Sequence, residues 1–191
     1  KAALELWRQA SEIVSNVNKE LKPVGKTEVA KKAWLTKEGQ RRRQVLMQAV
    51  VVLDRALDLD PSLTSARLTR ATLYYEELDR PGQAKRELQR ILERAKFDAK
   101  DPGAARRHAY YHLGEIAMRE KAYRRASVAF GQSLDYDADF LDSRVRQGDA
   151  YFELALSERG QDKASQEARS ESFEAASVSF RAALGSLAKQ D

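Results

Sequence analysis

Residues 107–140 contain the pattern that most restricts how this chain can fold. Small and apolar side chains recur there every three or four residues in two runs, with a break near Lys121. Such spacing places side chains on one face of an α-helix, so the segment is predicted to form two short amphipathic helices joined by a turn. The first run is Tyr110, Leu113, Gly114 and Ala117, and the second is Tyr123, Ala126, Phe130 and Ser133.

The same spacing recurs on both sides of this segment. Upstream, residues 65–98 reproduce it, and the second run of an earlier unit is visible between residues 49 and 61. Downstream, FEAASVSFRAAL at 173–184 echoes YRRASVAFGQSL at 123–134. The chain is thus predicted to be an array of helix pairs that bury their apolar faces against their neighbours. The further recurring positions are Ala49, Leu53, Ala56, Leu68, Ala71, Tyr75, Ala84, Leu88, Ile91, Gly148, Tyr151, Ala176, Phe180 and Ala183.

The unit resembles the tetratricopeptide repeat (TPR), a helix–turn–helix repeat of about 34 residues. Ala117, Ser133 and Ala138 replace its signature aromatic, alanine and proline, and the resemblance covers residues 48–191. It implies an all-α fold, a right-handed solenoid of helical hairpins forming a TPR-like superhelix, with 1–191 as a single domain. The residues that match the signature are Tyr110, Leu113, Gly114, Ala126 and Phe130.

Both ends of the predicted array are longer than a standard repeat. The opening helix pair occupies 1–63, with an apolar stripe from Leu4 to Leu21 on its first helix and a second helix over 28–59 that Thr27 caps. Repeats at 65–98 and 107–140 follow. Ala176 in the last unit, 141–191, lies 50 residues after the equivalent Ala126 of the preceding unit, instead of about 34. The 16 additional residues, within 157–172, are predicted to lengthen both helices by about two turns each, and a flexible loop is the alternative.

Composition agrees with a soluble helical protein. Of the 191 residues, 9 are Gly, 4 are Pro and 42% are hydrophobic, and no apolar run is long enough to span a bilayer. Because the chain has no Cys, disulfides, thiolate zinc sites and a cysteine nucleophile are excluded. The compartment is left open: the sequence suits a cytoplasmic protein, and equally one exported after removal of an N-terminal signal before Lys1.

Positive charge is concentrated near the start of the chain. Residues 19–43 hold nine Lys or Arg and three Glu, a local charge of +6 in a chain of net charge +5. Such a segment can contact nucleic-acid phosphates or an anionic membrane surface. A solvated helix face is the preferred interpretation, because no groove-reading motif or series of base-stacking aromatic residues accompanies the charge. The candidate basic patch is Lys31, Lys32, Arg41, Arg42 and Arg43.

The two histidines lie on one predicted helix. His108, His112 and Glu115 have the spacing that puts two imidazoles and a carboxylate on one helix face, a geometry suited to zinc. However, Ala109 stands where the HExxH motif has its Glu. We therefore expect neither a metal site nor a cofactor, and interpret these residues as polar groups that face a groove.

The TPR resemblance also implies where a ligand would bind, because the first helix of each TPR unit lines the concave surface. With units starting at 65, 107 and 141, equivalent positions form a row with basic, apolar and acidic members. The Lys and Asn of the carboxylate clamp found in some family members are absent. The predicted partner-binding row is Arg70, Tyr111, His112, Glu115, Arg146 and Asp149.

No catalytic motif is present in the sequence, which lacks a Gly-rich phosphate loop, a nucleophile elbow and HExxH. We therefore expect a non-enzymatic scaffold or assembly factor that binds a protein or peptide with acidic residues in a concave helical groove, and no small-molecule substrate. Two alternatives remain open. One is binding of nucleic acid or an anionic membrane through residues 19–43, and the other is self-assembly as a structural component or homo-oligomer.

Overall fold

The computed structural model describes residues 1–20, 37–94, 102–158, 160 and 162–188. Within these residues the regular structure is entirely helical and comprises eight α-helices, none of which is long and apolar enough to cross a membrane. The predicted all-α class is confirmed. The helices are α1 (Ala2–Glu20), α2 (Lys37–Leu59), α3 (Thr64–Thr72, continued by a π-helical segment, Leu73–Glu77), α4 (Pro81–Arg94), α5 (Pro102–Arg119), α6 (Tyr123–Leu134), α7 (Leu141–Ser157) and α8 (Lys163–Leu187).

Consecutive helices pack against each other as antiparallel pairs. α1 packs with α2, α3 with α4, α5 with α6, and α7 with α8, and α7 also packs on α6. These contacts divide the chain into two compact units, Lys1–Arg94 and Ala95–Asp191. The predicted succession of helix pairs is therefore confirmed. The right-handed superhelix and the assignment of all 191 residues to a single domain stay predictions.

Small residues determine how α1 packs on α2. Ala3, Ala10 and Val17 are buried at seven-residue intervals, on one side of α1. Leu4, predicted to be on the buried side, is exposed. The buried face thus combines Val17 of the predicted stripe with two alanines, whose small side chains let the paired helices approach closely. The predicted cap Thr27 and the first part of the predicted second helix lie outside the described residues.

Two helix ends in different pairs share the same backbone geometry. Asp79, after the π-helical segment, has a φ of 53°, and Lys121, after α5, has a φ of 57°. A left-handed residue just past a helix end is a common way to satisfy the last carbonyl groups. The two residues are separated by the same distance along the chain as the equivalent alanines Ala84 and Ala126. Pro81 is the first residue of α4, where its missing N–H is not needed.

An aromatic ring packs onto a glycine in both helix pairs of the second unit. In the α5–α6 pair, a Cβ atom added to Gly114 would be 2.6 Å from the ring of Phe130, which is fully buried. In the α7–α8 pair, a Cβ atom on Gly148 would be 2.5 Å from the ring of Phe180. No side chain fits between ring and backbone at either place. These glycines therefore set how closely the paired helices approach.

The last helix pair is elongated, as predicted, but its two helices share the extra residues unequally. α7 ends at Ser157, four residues beyond the counterpart of the end of α5. α8 begins at Lys163, ten residues before the counterpart of the first residue of α6. The prediction of two additional turns in each helix is wrong. The early start of α8 has a local cause, because the Asp162 carboxylate accepts a hydrogen bond from the Ser165 backbone N–H at 3.0 Å and so caps the helix.

Replacing Gly114 by Ala is expected to destabilise the protein, although alanine is the better helix former. The added methyl group collides with the buried Phe130 ring, and overpacking of this kind typically costs about 1–3 kcal/mol. Gly82→Ala is the matched control, because a Cβ there has nothing within 4 Å. That variant should be neutral or more stable, by up to about 1 kcal/mol. Urea unfolding measures both effects, and a Gly114→Ala protein as stable as the parent would contradict this packing.

Candidate functional site

Three residues of the predicted partner-binding row come together on α5 and α7. Arg146 donates from Nε to Glu115 Oε1 at 2.5 Å and from Nη1 to Asp149 Oδ2 at 3.0 Å. Burial alone would lower the pKa of Arg146, but the hydrogen bonds and charges of Glu115 and Asp149 outweigh it and raise that pKa. This charged cluster of one arginine and two carboxylates links neighbouring helix pairs and has a net charge of −1.

Tyr111 and His112 of α5 belong to an aromatic group. The Tyr111 ring lies 5.8 Å from that of Phe130 and 5.6 Å from that of Phe140, and the His112 ring lies edge-on to it at 5.3 Å. Tyr111 is partly buried against the core of the second unit. Its ring, which was predicted to contact a partner, therefore contributes to packing.

Arg70, the remaining member of the row, belongs to the first unit and is paired within it. Its guanidinium forms ion pairs with Asp54 of α2 and with Glu87 of α4, the latter at 2.7 Å. Arg67, one turn earlier on α3, also pairs with Glu87, at 3.1 Å, and donates to the carbonyl oxygen of Pro61 at 2.8 Å. Arg70 thus ties α3 to both neighbouring helices. An acidic ligand would have to displace two carboxylates to reach it.

His108 is half-buried between an arginine and a phenylalanine. Arg107 Nη2 donates to His108 Nε2 at 3.1 Å, and the Phe140 ring lies edge-on to the imidazole at 5.6 Å. Arg107 also pairs with Asp137 and lies over the Phe140 ring. Burial and the Arg107 charge lower the pKa of His108, whereas the charge of Asp142 opposes them. The folded protein therefore favours the neutral imidazole.

The exposed apolar side chains of α7 form a surface that the sequence analysis did not identify. Val145, Phe152 and Leu156 recur at intervals of seven and four residues, which places them on one side of α7. Phe152 and Leu156 are 44% and 53% exposed. Phe173 of α8 is also exposed, and its ring lies 5.7 Å from that of Phe152. We call these four residues the hairpin face. Its spacing is visible in the sequence, but Asp149 interrupts the apolar series.

Asp149 connects the hairpin face to the charged cluster. It lies one turn from Val145 and one turn from Phe152 on the same side of α7, and its carboxylate accepts from Arg146. The candidate functional site is therefore an apolar surface bordered by charged side chains. Within the described part of the chain, no three His, Cys, Asp or Glu side chains are grouped in a way that could hold a metal ion.

The predicted basic patch is only partly a surface. Lys31 and Lys32 lie outside the described residues, and Arg41 and Arg43 are exposed on α2. Arg42 between them is buried, so its assignment to an exposed patch is corrected. It shares the buried side of α2 with Gly39 and Leu46, residues three and four positions away.

Arg42 is held by polar groups from two other segments. It donates to the Val17 carbonyl oxygen at 3.3 Å and to Asn18 Oδ1 at 2.6 Å, both on α1. It also donates to Glu77 Oε2 at 2.9 Å, at the end of the π-helical segment. A buried arginine needs such partners, because an unpaired charge removed from water is strongly unfavourable. Arg42 therefore joins α1, α2 and the end of α3.

Comparison with protein-family models finds no match, and comparisons with curated protein sequences and with solved structures find none either. The fold and the site define an all-helical protein whose helices pack as sequential pairs. No family is identified by these comparisons, and the TPR resemblance stays a prediction.

Arg42→Ala is expected to destabilise the protein strongly, whereas Arg41→Ala and Arg43→Ala are not. Removing Arg42 leaves Glu77 and the α1 acceptors without their donor, and breaking a buried ion pair typically costs about 3–5 kcal/mol. The neighbouring arginines are exposed, so their removal should change stability by no more than about 0.5 kcal/mol. Urea unfolding of the three variants checks this contrast, and three similar values would be inconsistent with a buried Arg42.

The stability of the protein should fall as the pH decreases through 6.5, in part because of His108. The folded state lowers the pKa of this histidine below its ordinary value of 6.5, so the unfolded chain takes up the proton first and is favoured at lower pH. His108→Gln removes this contribution and leaves Arg107, Asp137 and Asp142 in place. Unfolding curves at about pH 7.5 and 5.5, either side of the ordinary histidine pKa, should show a smaller loss for the variant. Equal losses would argue against the effect.

Proposed function

We propose that this chain is a TPR-like protein whose helical hairpins form a right-handed solenoid. Two structural repetitions support the proposal. The ring-on-glycine contact occurs at equivalent positions in two successive helix pairs, Gly114 with Phe130 and Gly148 with Phe180. The left-handed residues Asp79 and Lys121 follow the first helices of two helix pairs, α3–α4 and α5–α6, at equivalent positions. The recurrence of one side-chain contact and one backbone geometry at equivalent positions of successive helix pairs is typical of repeat proteins.

We further propose that the protein is a non-enzymatic scaffold or assembly factor that binds another protein through the hairpin face. The observation that carries this proposal is the exposure of Phe152 and Leu156 on the elongated helix pair. Burying a large apolar side chain contributes on the order of 1.5–3 kcal/mol, and aromatic residues are enriched at protein interfaces. The four residues of the hairpin face lie on the two helices that the insertion lengthens, on either side of the inserted residues.

The charged cluster beside the hairpin face bears on the chemistry of the partner. Arg146 is already held by Glu115 and Asp149, so a carboxylate of an acidic partner would compete with two internal ones. A lysine or arginine of the partner would instead complement the net negative charge of the cluster. We therefore propose an amphipathic helix as ligand, with apolar anchors at three- and four-residue spacing and a basic residue beside them.

Phe152→Asp should weaken partner binding, because a carboxylate in an apolar interface is unfavourable. It should leave the fold intact, because the Phe152 side chain is exposed. Val128→Asp is the matched control, since Val128 is exposed on α6, outside the hairpin face. The first step is to purify proteins that the parent and Val128→Asp capture from source cells and that Phe152→Asp does not. Each purified protein is then titrated against the parent and the two variants by calorimetry. We expect at least a tenfold loss of affinity, the size typical of a central anchor.

The same titration distinguishes binding through the hairpin face from the alternative function, binding of a polyanion through the basic segment 19–43. If Phe152→Asp binds the purified partner as the parent does, the hairpin face is not the binding surface. A second result would then identify the basic segment: the double variant Arg41→Glu, Arg43→Glu no longer binds the ligand, and the affinity of the parent falls steeply with salt. In that case the exposed arginines of α2 contact a polyanion. Binding through apolar anchors should depend much less on salt.

A further inference from the structure

α8 has a buried side and an opposite, exposed side. Its buried side consists of small residues spaced by three and four positions, which seat the helix in the second unit: Ser172, Ala176, Ser179, Ala183 and Ser186. The exposed side lies about half a turn away around the helix. We call it the outer face of α8, and it comprises Glu174, Ser177, Val178, Arg181, Leu184 and Gly185. It shares no residue with the hairpin face.

Two features of the outer face are not explained by packing among the residues that the structure describes. Val178 and Leu184 are 55% and 65% exposed, although both are large and apolar. Gly185 lies within the helix, yet a Cβ atom added there would have nothing within 4 Å. Glycine inside a helix costs about 1 kcal/mol relative to alanine, and here no neighbouring side chain requires it. A missing side chain at an exposed helical position allows another helix to approach closely.

The charges of the outer face are complementary to themselves. Glu174 and Arg181 are seven residues apart, which places them two turns apart along the same line of the helix. If a second α8 lies antiparallel, with a two-fold axis between Ser177 and Val178, each Glu174 meets Arg181 of the other copy. The same symmetry sets Gly185 opposite the small Ser170. An interface between identical surfaces must be complementary in this way.

We propose that the outer face of α8 is a homodimer interface in which two copies of this chain pack antiparallel across that axis. Val178 and Leu184 lose their exposure to water, Gly185 admits the facing helix, and two symmetric Glu174–Arg181 ion pairs set the register and the antiparallel orientation. A parallel pairing would bring like charges together. One helix per copy is a small interface, so we expect a monomer–dimer equilibrium with a Kd on the order of micromolar.

The charge pattern allows a decisive test by analytical ultracentrifugation of the full chain. Glu174→Arg places four arginines at the axis of a dimer, and Arg181→Glu places four glutamates there. Each variant alone should therefore dimerise at least about tenfold more weakly than the parent. An equimolar mixture of the two should associate as well as the parent, because the mixed dimer restores both opposite-charge contacts. Arg55→Glu, at an exposed position of α2, is the control for net charge and should dimerise normally.

Three outcomes would overturn the proposal: a parent protein that stays monomeric up to about 1 mM, a thousandfold above the expected Kd; single variants that dimerise as the parent does; or a mixture that fails to associate. Circular dichroism establishes that the variants are folded. If a charge variant loses helicity, Val178→Asp replaces it and must dissociate the dimer. The hairpin-face variant Phe152→Asp should still dimerise, so failure of this interface and failure of the proposed partner binding are distinguishable.

Discussion

The contact between an aromatic ring and a glycine backbone governs the second unit. Phe130 on Gly114 and Phe180 on Gly148 each bring two helices of a pair to the closest approach that their backbones allow. The inserted residues of the last pair lie between Gly148 and Phe180 along the chain. Because a hairpin can lengthen at its tip without moving the contact at its base, the insertion leaves the glycine–ring contact intact. The last pair can therefore be longer than the α5–α6 pair and still keep the same contact at its base.

The helices of the first unit are held together by different contacts. Thr72 and Leu88 stand at the positions equivalent to Gly114 and Phe130, so the ring-on-glycine contact cannot form there. Buried and half-buried arginines connect its helices instead: Arg42 with Glu77, and Arg67 and Arg70 with the shared carboxylate of Glu87. Buried ion pairs add little net stability compared with apolar packing. Their directional hydrogen bonds do, however, specify which helix lies beside which.

Because arginines form ion pairs with carboxylates inside each unit, they are less available to bind a partner. Arg70 and Arg146, the two arginines of the predicted concave row, are both neutralised by carboxylates of their own units. The last helix pair presents large apolar side chains to solvent, Phe152 and Leu156 on one face and Val178 and Leu184 on another. Both proposed functions, binding of a partner helix and self-association, follow from that distribution.

The sequence by itself determined the helical class, the succession of helix pairs and the lengthening of the last pair. It also determined that Ala126, Phe130 and Leu88 are buried. These features could be predicted because helical periodicity and the spacing of equivalent residues are read directly along the chain. It could not determine where the polar residues point. Arg42 lies in a run of three arginines that reads as a solvated surface, yet its partner Glu77 is 35 residues away. Arg146 likewise meets Glu115 from 31 residues away. Whether an arginine faces water or a carboxylate depends on which distant segment folding brings beside it, and only the tertiary structure decides that.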